Sequence, residues 1–269
     1  MCKVLSVSRS GYYSWIKRKP SPRSQENDKI LSHIRVIYNQ SNRLYGSPKV
    51  TDALRNSRII CNHKRVERLM RQNGIYSKVK RRFKVTTHSK HNHPVADNLI
   101  RMNFAASRPN KVWTSGITYI WTREGWMYLA VFMDLFNRQI VGWSMKNRLK
   151  DDLVIDAFKM ALRARNPSPG LIVHSDRGSQ YCSRVFKELL KDHKCLQSMS
   201  STGNCYDNAV TESFFHTLKI ELVYHEKYKT RDQARKSIFK YIEAFYNRIR
   251  IHSYLGGLSP FQYELKMAA

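Results

Sequence analysis

Two carboxylates stand out in a chain that is short of acids. Asp176 ends the apolar run LIVHSD and precedes Arg177-Gly178-Ser179, which places its side chain at a strand end beside a turn. Glu212 lies early in DNAVTESFFHTLK. There Val210, Phe214 and Leu218 mark an inward helix face, and Asn208, Glu212, His216 and Lys219 follow along the opposite, polar one. Thirty-five residues separate the two acids. Acids at a strand end and a helix start suit a hard divalent cation such as Mg²⁺, which takes carboxylate oxygens and completes its shell with water and substrate phosphate. The chemistry such a site serves is phosphoryl transfer, where cations stabilise the attacking and leaving oxygens. His216 and Lys219, one and two turns beyond Glu212, suit contacts to phosphate. Taken alone, the same row also reads as the solvated side of an ordinary surface helix.

The charge narrows the partner. The 269 residues carry 48 Lys and Arg against 20 Asp and Glu, a formal net charge of +28. Such an excess repels itself in the folded state and points to a polyanion, foremost nucleic acid. An acidic membrane surface competes poorly, because no long apolar run exists. The excess is uneven: residues 1–110 hold 24 Lys and Arg and only 5 Asp and Glu. A basic arm or small domain followed by a more neutral domain is the expected layout. The five cysteines (Cys2, Cys61, Cys182, Cys195, Cys205) form no C-x-x-C pair, and the first residues lack the apolar core of a secretion signal. Free thiols in a reducing, cytoplasmic compartment are expected.

The elements that must position these residues follow from pattern. Residues 1–23 end in RKPSPRS, which breaks a helix. A helix is expected from about Asn27 to Tyr38 through Ile30, Ile34 and Ile37, and a second after Tyr45-Gly46-Ser47-Pro48, with Val50, Ala53 and Leu54 inward. Asn62 caps a further helix with Val66, Leu69 and Met70 inward, ended by Gly74. Its Lys64, Arg65, Arg68 and Arg71 make a helix-turn-helix candidate, with a basic hairpin that only touches DNA backbone as the equal alternative. Residues 1–76 are therefore read as a DNA-binding helical region and 77–110 as a basic linker, whose His88, His91 and His93 lack a companion ligand for a metal site. Strands are expected at Val112–Trp121, Trp126–Leu135 and Arg138–Met145, then a helix over Asp151–Arg165, a strand at Leu171–His174, a helix over Arg184–His193 and a strand at Leu196–Met199. Helices over Asn208–Leu222 and Arg231–Tyr246 close the order. Trp113, Trp126 and Trp143 fall on strands and read as core rather than as platforms for bases. Three antiparallel strands followed by alternating helices and strands is the order of an RNase H-like α/β fold, a five-stranded mixed sheet with helices over residues 111–225 and a helical extension over 226–269.

A family resemblance covers essentially the whole chain. VHSDRGSQY and STGNCYDNAVTESFFHTLK resemble the segments around the second and third acids of a D,D(35)E integrase core. YIEAFYNRIRIHSYLGGLSP is similar to the end of the OrfB-type transposases of insertion sequences. VFMDLFNRQIVGWSM, RPNKVWTSGITYI, SRSGYYSW and NHKRVERLMRQNGI match the same family. The resemblance implies two Mg²⁺ (or Mn²⁺) ions held with Asp176 and Glu212, and water that cuts the end of the element. A freed 3′-hydroxyl then attacks a second phosphodiester, without a covalent protein–DNA intermediate. It implies double-stranded DNA, both element ends and target, as substrate, with His216 and Lys219 against it and Arg177, Arg248, Arg250 and His252 as phosphate contacts. It also implies a homo-oligomer on DNA, associated with the bacterial nucleoid, and an OrfA-type upstream partner or fusion segment bearing its own helix-turn-helix and zipper.

One departure bears on activity. Where the family carries its first acid, this sequence has Gly116, which supplies no ligand. Asp134 lies on the next strand, at a place where the family has an acid outside the triad. The resemblance with that departure implies a transposase whose strand cleavage and joining are severely weakened. The alternative is a non-catalytic DNA-binding or regulatory derivative. A plain RNase H-like nuclease fits the basic first third poorly, and a tyrosine recombinase does not account for the 35-residue spacing. Electrostatic binding is testable first: the logarithm of DNA affinity should fall with that of salt concentration at a slope of about −0.9 per phosphate neutralised, measured by fluorescence anisotropy. A flat salt response would remove the polyanion argument.

Overall fold

In a computed structural model the described residues are 2–79, 96–201 and 205–268. The chain divides into two compact units, one up to Ser77 and one from Lys78. The first is helical: α1 (Arg9–Ile16), α2 (Pro22–Gln40), α3 (Ser47–Asn56) and α4 (His63–Gln72). The stretch read as a helix breaker lies between two helices, following the end of α1 and starting α2. Ser21 accepts a hydrogen bond from the Ser24 amide at 3.2 Å, and Pro22 takes the first turn, where its missing N–H costs nothing. The helix expected from Asn27 therefore begins earlier, and α1, which buries no residue, precedes it. Ile30 and Ile34 of α2, Val50 and Leu54 of α3, and Val66, Leu69 and Met70 of α4 form the buried core of this unit. Asn62 caps α4 by accepting from the Lys64 amide at 2.8 Å. The histidines at 88, 91 and 93 lie outside the described residues.

The second unit is built on β1 (Val112–Thr122), β2 (Gly125–Asp134) and β3 (Ile140–Lys146), then α5 (Asp151–Arg165), β4 (Ile172–Ser175), α6 (Ser179–Cys182), α7 (Arg184–Asp192) and β5 (Leu196–Met199). The sheet order is β3-β2-β1-β4-β5. The β1–β2 and β2–β3 pairs are antiparallel, and β1–β4 and β4–β5 are parallel. This is the five-stranded mixed sheet expected from the order of elements. Its main core joins Trp113 and Phe132 of the sheet to Phe158 of α5, Tyr181 of α6 and Phe186 of α7. Gly142 permits the closest layer contact. A Cβ there would stand 2.3 Å from the Ala157 carbonyl and 2.6 Å from the Ala161 nitrogen, both backbone atoms of α5.

After β5 come α8 (Ala209–Glu221), α9 (Arg231–Phe239), a π-helical continuation over Lys240–Tyr246, and α10 (Pro260–Ala268). The helix expected over Arg231–Tyr246 thus changes its pitch at Lys240. Two side-chain devices fasten this tail. Asn247 offers its amide to the edge strand β3, donating to the Ile140 carbonyl and accepting from the Ile140 amide, each at 3.0 Å. Arg250 donates to both carboxylate oxygens of Glu221 on α8, at 2.9 Å and 2.8 Å, and Tyr241 adds a third donor at 2.7 Å. The placement of Arg250 corrects its reading as a phosphate contact: its guanidinium is buried and spent on Glu221. Although burial works against the charge, Glu221 holds Arg250 above the ordinary guanidinium value.

Two stability experiments follow. Replacing Glu221 by Gln leaves the Arg250 charge buried without its partner and should cost about 3–5 kcal/mol in denaturant unfolding, whereas the double change Glu221→Leu with Arg250→Met should recover most of it. His174, fully buried between β1 and β5 and bonded to Ser198 Oγ at 2.8 Å, is depressed to about 4, chiefly by burial. Its unfolded value is near 6.5, so its contribution is complete above that pH and is lost as pH falls toward 4, by about 3 kcal/mol. A His174→Gln variant should show a shallower acid loss than the parent when unfolding is compared at pH 7 and pH 4.

Candidate active site at the ends of β1 and β4

β4 is four residues long and lies parallel to β1, with Ser175 paired to Ser115. Gly116 on β1 and Asp176, just past the end of β4, are the residues that follow this rung. Asp176 Oδ1 accepts the Gly178 amide at 2.9 Å, which turns the chain sharply and holds the carboxylate at the strand end. Arg177 points back into the protein, donating through Nε to the Ser200 carbonyl at 2.7 Å.

α8 supplies the third position. Thr211, Phe214, Phe215 and Leu218 are buried, Glu212 and His216 are exposed, and Lys219 is half-buried. Burial and the nearby charge of Asp176 both raise the Glu212 carboxyl above the usual carboxylate range, so the two acids face each other electrostatically. Burial likewise lowers Lys219. Asn208 departs from its expected place on the polar face. It is buried, and its Nδ2 donates to the Ser115 carbonyl at 2.9 Å, fastening the start of α8 to β1. Spacing alone could not show this, because the residue at a helix start need not follow the helical row behind it.

Gly116 lies under α8. An added Cβ would meet Phe215 Cε2 and Thr211 Cγ2 at 3.0 Å and Asn208 Nδ2 at 3.5 Å. Two buried polar atoms of these neighbours, Asn208 Oδ1 and Thr211 Oγ1, have no hydrogen-bond partner among the described residues. Buried oxygens without partners are uncommon and call for a reason. Asp134, by contrast, is a structural acid. Fully buried on β2, it accepts the amides of Asn110 and Phe136 at 2.8 Å and 3.0 Å, and burial raises its carboxyl. Among the described residues no group of three His, Cys, Asp or Glu stands close enough to hold a metal.

The basic residues separate into two kinds. On α4, Lys64 and Arg71 are exposed and Arg68 is half-buried, but Arg65 is tied to α2, donating to Glu26 at 2.9 Å and to Asn27 at 2.8 Å. Its first task is to join the helices rather than to read DNA. Arg248 is exposed beside the Phe261 ring, and His252 lies next to Arg250 at 3.3 Å. The tryptophans also divide. Trp113 is core as expected, Trp143 is half-buried and donates to Glu243 at 2.7 Å, but Trp126 is 49 % exposed and is not core. It sits on the outer, alternate positions of the β1–β2 hairpin, where nothing in the second unit covers it fully.

Comparison with known proteins bears on these features together. An integrase core domain profile matches residues 106–205, a second integrase core profile matches 212–267, and an HTH-like domain profile matches 25–83. Over 271 aligned residues the chain is 44% identical to transposase InsF for insertion sequence IS3A of Escherichia coli strain K12, covering 100% of this chain and 94% of that protein. It is 43% identical to the uncharacterized 31 kDa protein of insertion element IS600 of Shigella sonnei, covering 99% and 98% of the two. In fold it resembles a chain of the simian T-cell lymphotropic virus intasome, with a TM-score of 0.51 at 17% identity over 65% of this chain and 60% of that one. A five-stranded mixed sheet matched by integrase core profiles, an HTH-like first unit and full-length likeness to InsF lead to one assignment: the chain belongs to the insertion-sequence transposases built on an integrase core.

Proposed function

We propose that this chain binds double-stranded DNA in the manner of a transposase and presents Asp176 and Glu212 to a phosphodiester, but that Gly116 leaves its cleavage and joining of strands disabled or slowed by orders of magnitude. The observation that carries this reading is the Ser115–Ser175 rung, which Gly116 and Asp176 directly follow, with side chains of α8 occupying the space above the glycine. A pair of carboxylates, with the Asp176 charge adding to burial in raising the Glu212 carboxyl, suits one hard divalent cation, Mg²⁺ or Mn²⁺, completed by water and phosphate. A second ion has no ligand at position 116. When bound, such a cation supplies charge stabilisation to the attacking and leaving oxygens. The residues of the chain do the rest. Asp176 is held by the Gly178 amide, Glu212 is carried on a helix fastened to β1, and Lys219 and His216 lie along that helix where phosphates would follow. Lys64, Arg68 and Arg71 serve the first unit's hold on DNA, and assembly on DNA as an oligomer with an upstream OrfA-type segment completes the reading. Of the groups beside position 116, the Asn208 amide nitrogen, 3.5 Å from an added Cβ, is the donor that an acid there would meet.

A second reading, a binding-only derivative that regulates rather than cuts, is favoured by Gly116 itself. Both are tested by comparing the chain with its Gly116→Asp variant, each fused to the upstream segment, for Mg²⁺-dependent cleavage and joining on DNA carrying the element's ends. The variant should gain at least about 10²–10³-fold in rate. Because the new Cβ would press on Thr211 Cγ2 at 3.0 Å, Gly116→Asp with Thr211→Ser serves as the relieved version that keeps the hydroxyl. Equal activity with and without the acid would overturn the assignment of position 116. Inactivity of all variants with DNA binding intact would establish the binding-only reading.

A further inference from the structure

The β1–β2 hairpin carries an aromatic face that the phosphoryl-transfer site does not use. Tyr119 and Trp121 alternate outward along β1, and the antiparallel register sets Tyr128 and Trp126 directly opposite them. The rings meet edge to face: Trp121 and Trp126 at 4.9 Å, Tyr119 and Tyr128 at 5.3 Å, and Tyr119 and Trp126 across the diagonal at 6.4 Å. On the opposite face of the same strands Ile120, Met127 and Leu129 are fully buried, and Tyr128 packs against the main core, while Tyr119, Trp121 and Trp126 stay exposed. Trp121 is 57 % exposed and Tyr119 44 %. A contiguous exposed patch of this kind marks a binding surface.

The patch is the floor of a groove of about 850 Å³, walled by the segment after α8 through Tyr224 and edged by the cations Arg123, Lys219 and Lys227, against one acid, Glu226. The groove also opens beside the candidate active site. Lys219, on its edge, lies two turns along α8 from Glu212. Rings flanked by cations suit a ligand that joins a flat π-face to a phosphate. A paired duplex hides its base faces in the stack, whereas an unpaired nucleotide offers both a face and a phosphate, and every base has such a face.

We propose that the groove over Tyr119, Trp121 and Trp126 stacks an unpaired nucleobase of the DNA strand next to the candidate active site. This rests on the reading that the chain handles DNA, and the test keeps the two apart. The full-length chain is titrated by fluorescence anisotropy with three labelled DNAs of equal charge: a blunt duplex, a duplex ending in three mismatched, unpaired nucleotides, and the same end with abasic sugars. The unpaired end should bind about tenfold more tightly than the abasic end and should quench tryptophan emission. Trp121→Ala and Trp126→Ala should abolish that preference while leaving duplex affinity unchanged. Trp126→Phe, which keeps a ring, should retain it and controls for misfolding. Equal binding of the abasic and base-bearing ends would overturn the proposal. So would tryptophan variants that become monomeric in sedimentation with the preference intact, since the face would then be a contact between copies. Failure of all three DNAs to bind would instead remove the DNA reading itself.

Discussion

The parallel pairing of β1 with β4 is the constraint on which the site depends. Parallel strands start from the same end of a sheet, so two residues far apart in sequence leave their strands at the same level. Ser115 and Ser175 are paired, and each hands the chain on to a position of the candidate site. Nothing in either strand alone sets that level. It comes from the crossover through α5, which must close over the sheet tightly enough for β4 to reach β1. Gly142 makes this possible by letting α5 approach β3 with backbone against backbone. The third element is then added by one hydrogen bond of high leverage. Asn208 holds the start of α8 to the Ser115 carbonyl, and the helix period carries Glu212 to the open side.

The same sheet explains why some residues reveal their role in sequence and others do not. The alternation of β1 and β2, the apolar stripe of α5 and the order of elements are periodic signals, and they yield the mixed sheet directly. Asp176 is legible because a carboxylate between an apolar strand and a Gly-containing turn has few other places to go. Arg250 is not. A basic residue in a basic chain looks solvated until the fold brings Glu221, 29 positions away, against it. Arg65 is a milder case, its partners Glu26 and Asn27 lying on another helix. Trp126 misleads for the opposite reason. A large apolar ring on a strand normally faces inward, but strand period alone cannot say which of two alternating sets meets the core when both contain aromatic rings.

The arginines illustrate how a strongly basic chain spends its charge. With 48 cationic residues there is more positive charge than the 20 acids can neutralise. Some of the acids hold elements together. Glu221 ties the tail to α8, Glu26 ties two helices of the first unit, and Asp134 organises the end of β2. Many of the other described cations, such as Lys64, Arg71 and Arg248, face solvent, which strengthens attraction to a polyanion at the expense of self-repulsion.

Two glycines in this fold differ in what history can do with them. At Gly142 the obstacle to any side chain is the backbone of α5, which cannot yield without shifting the layer, so that glycine is fixed by inheritance for as long as the fold persists. At Gly116 the neighbours are the ends of side chains, Thr211 and Phe215, at distances that a few tenths of an ångström would relieve. Glycine and aspartate codons ending in a pyrimidine differ by a single base. The packing around position 116 is therefore open to a small side chain after a slight shift of its neighbours, and one base change lies between glycine and aspartate there, whereas no single substitution at Gly142 escapes the backbone of α5.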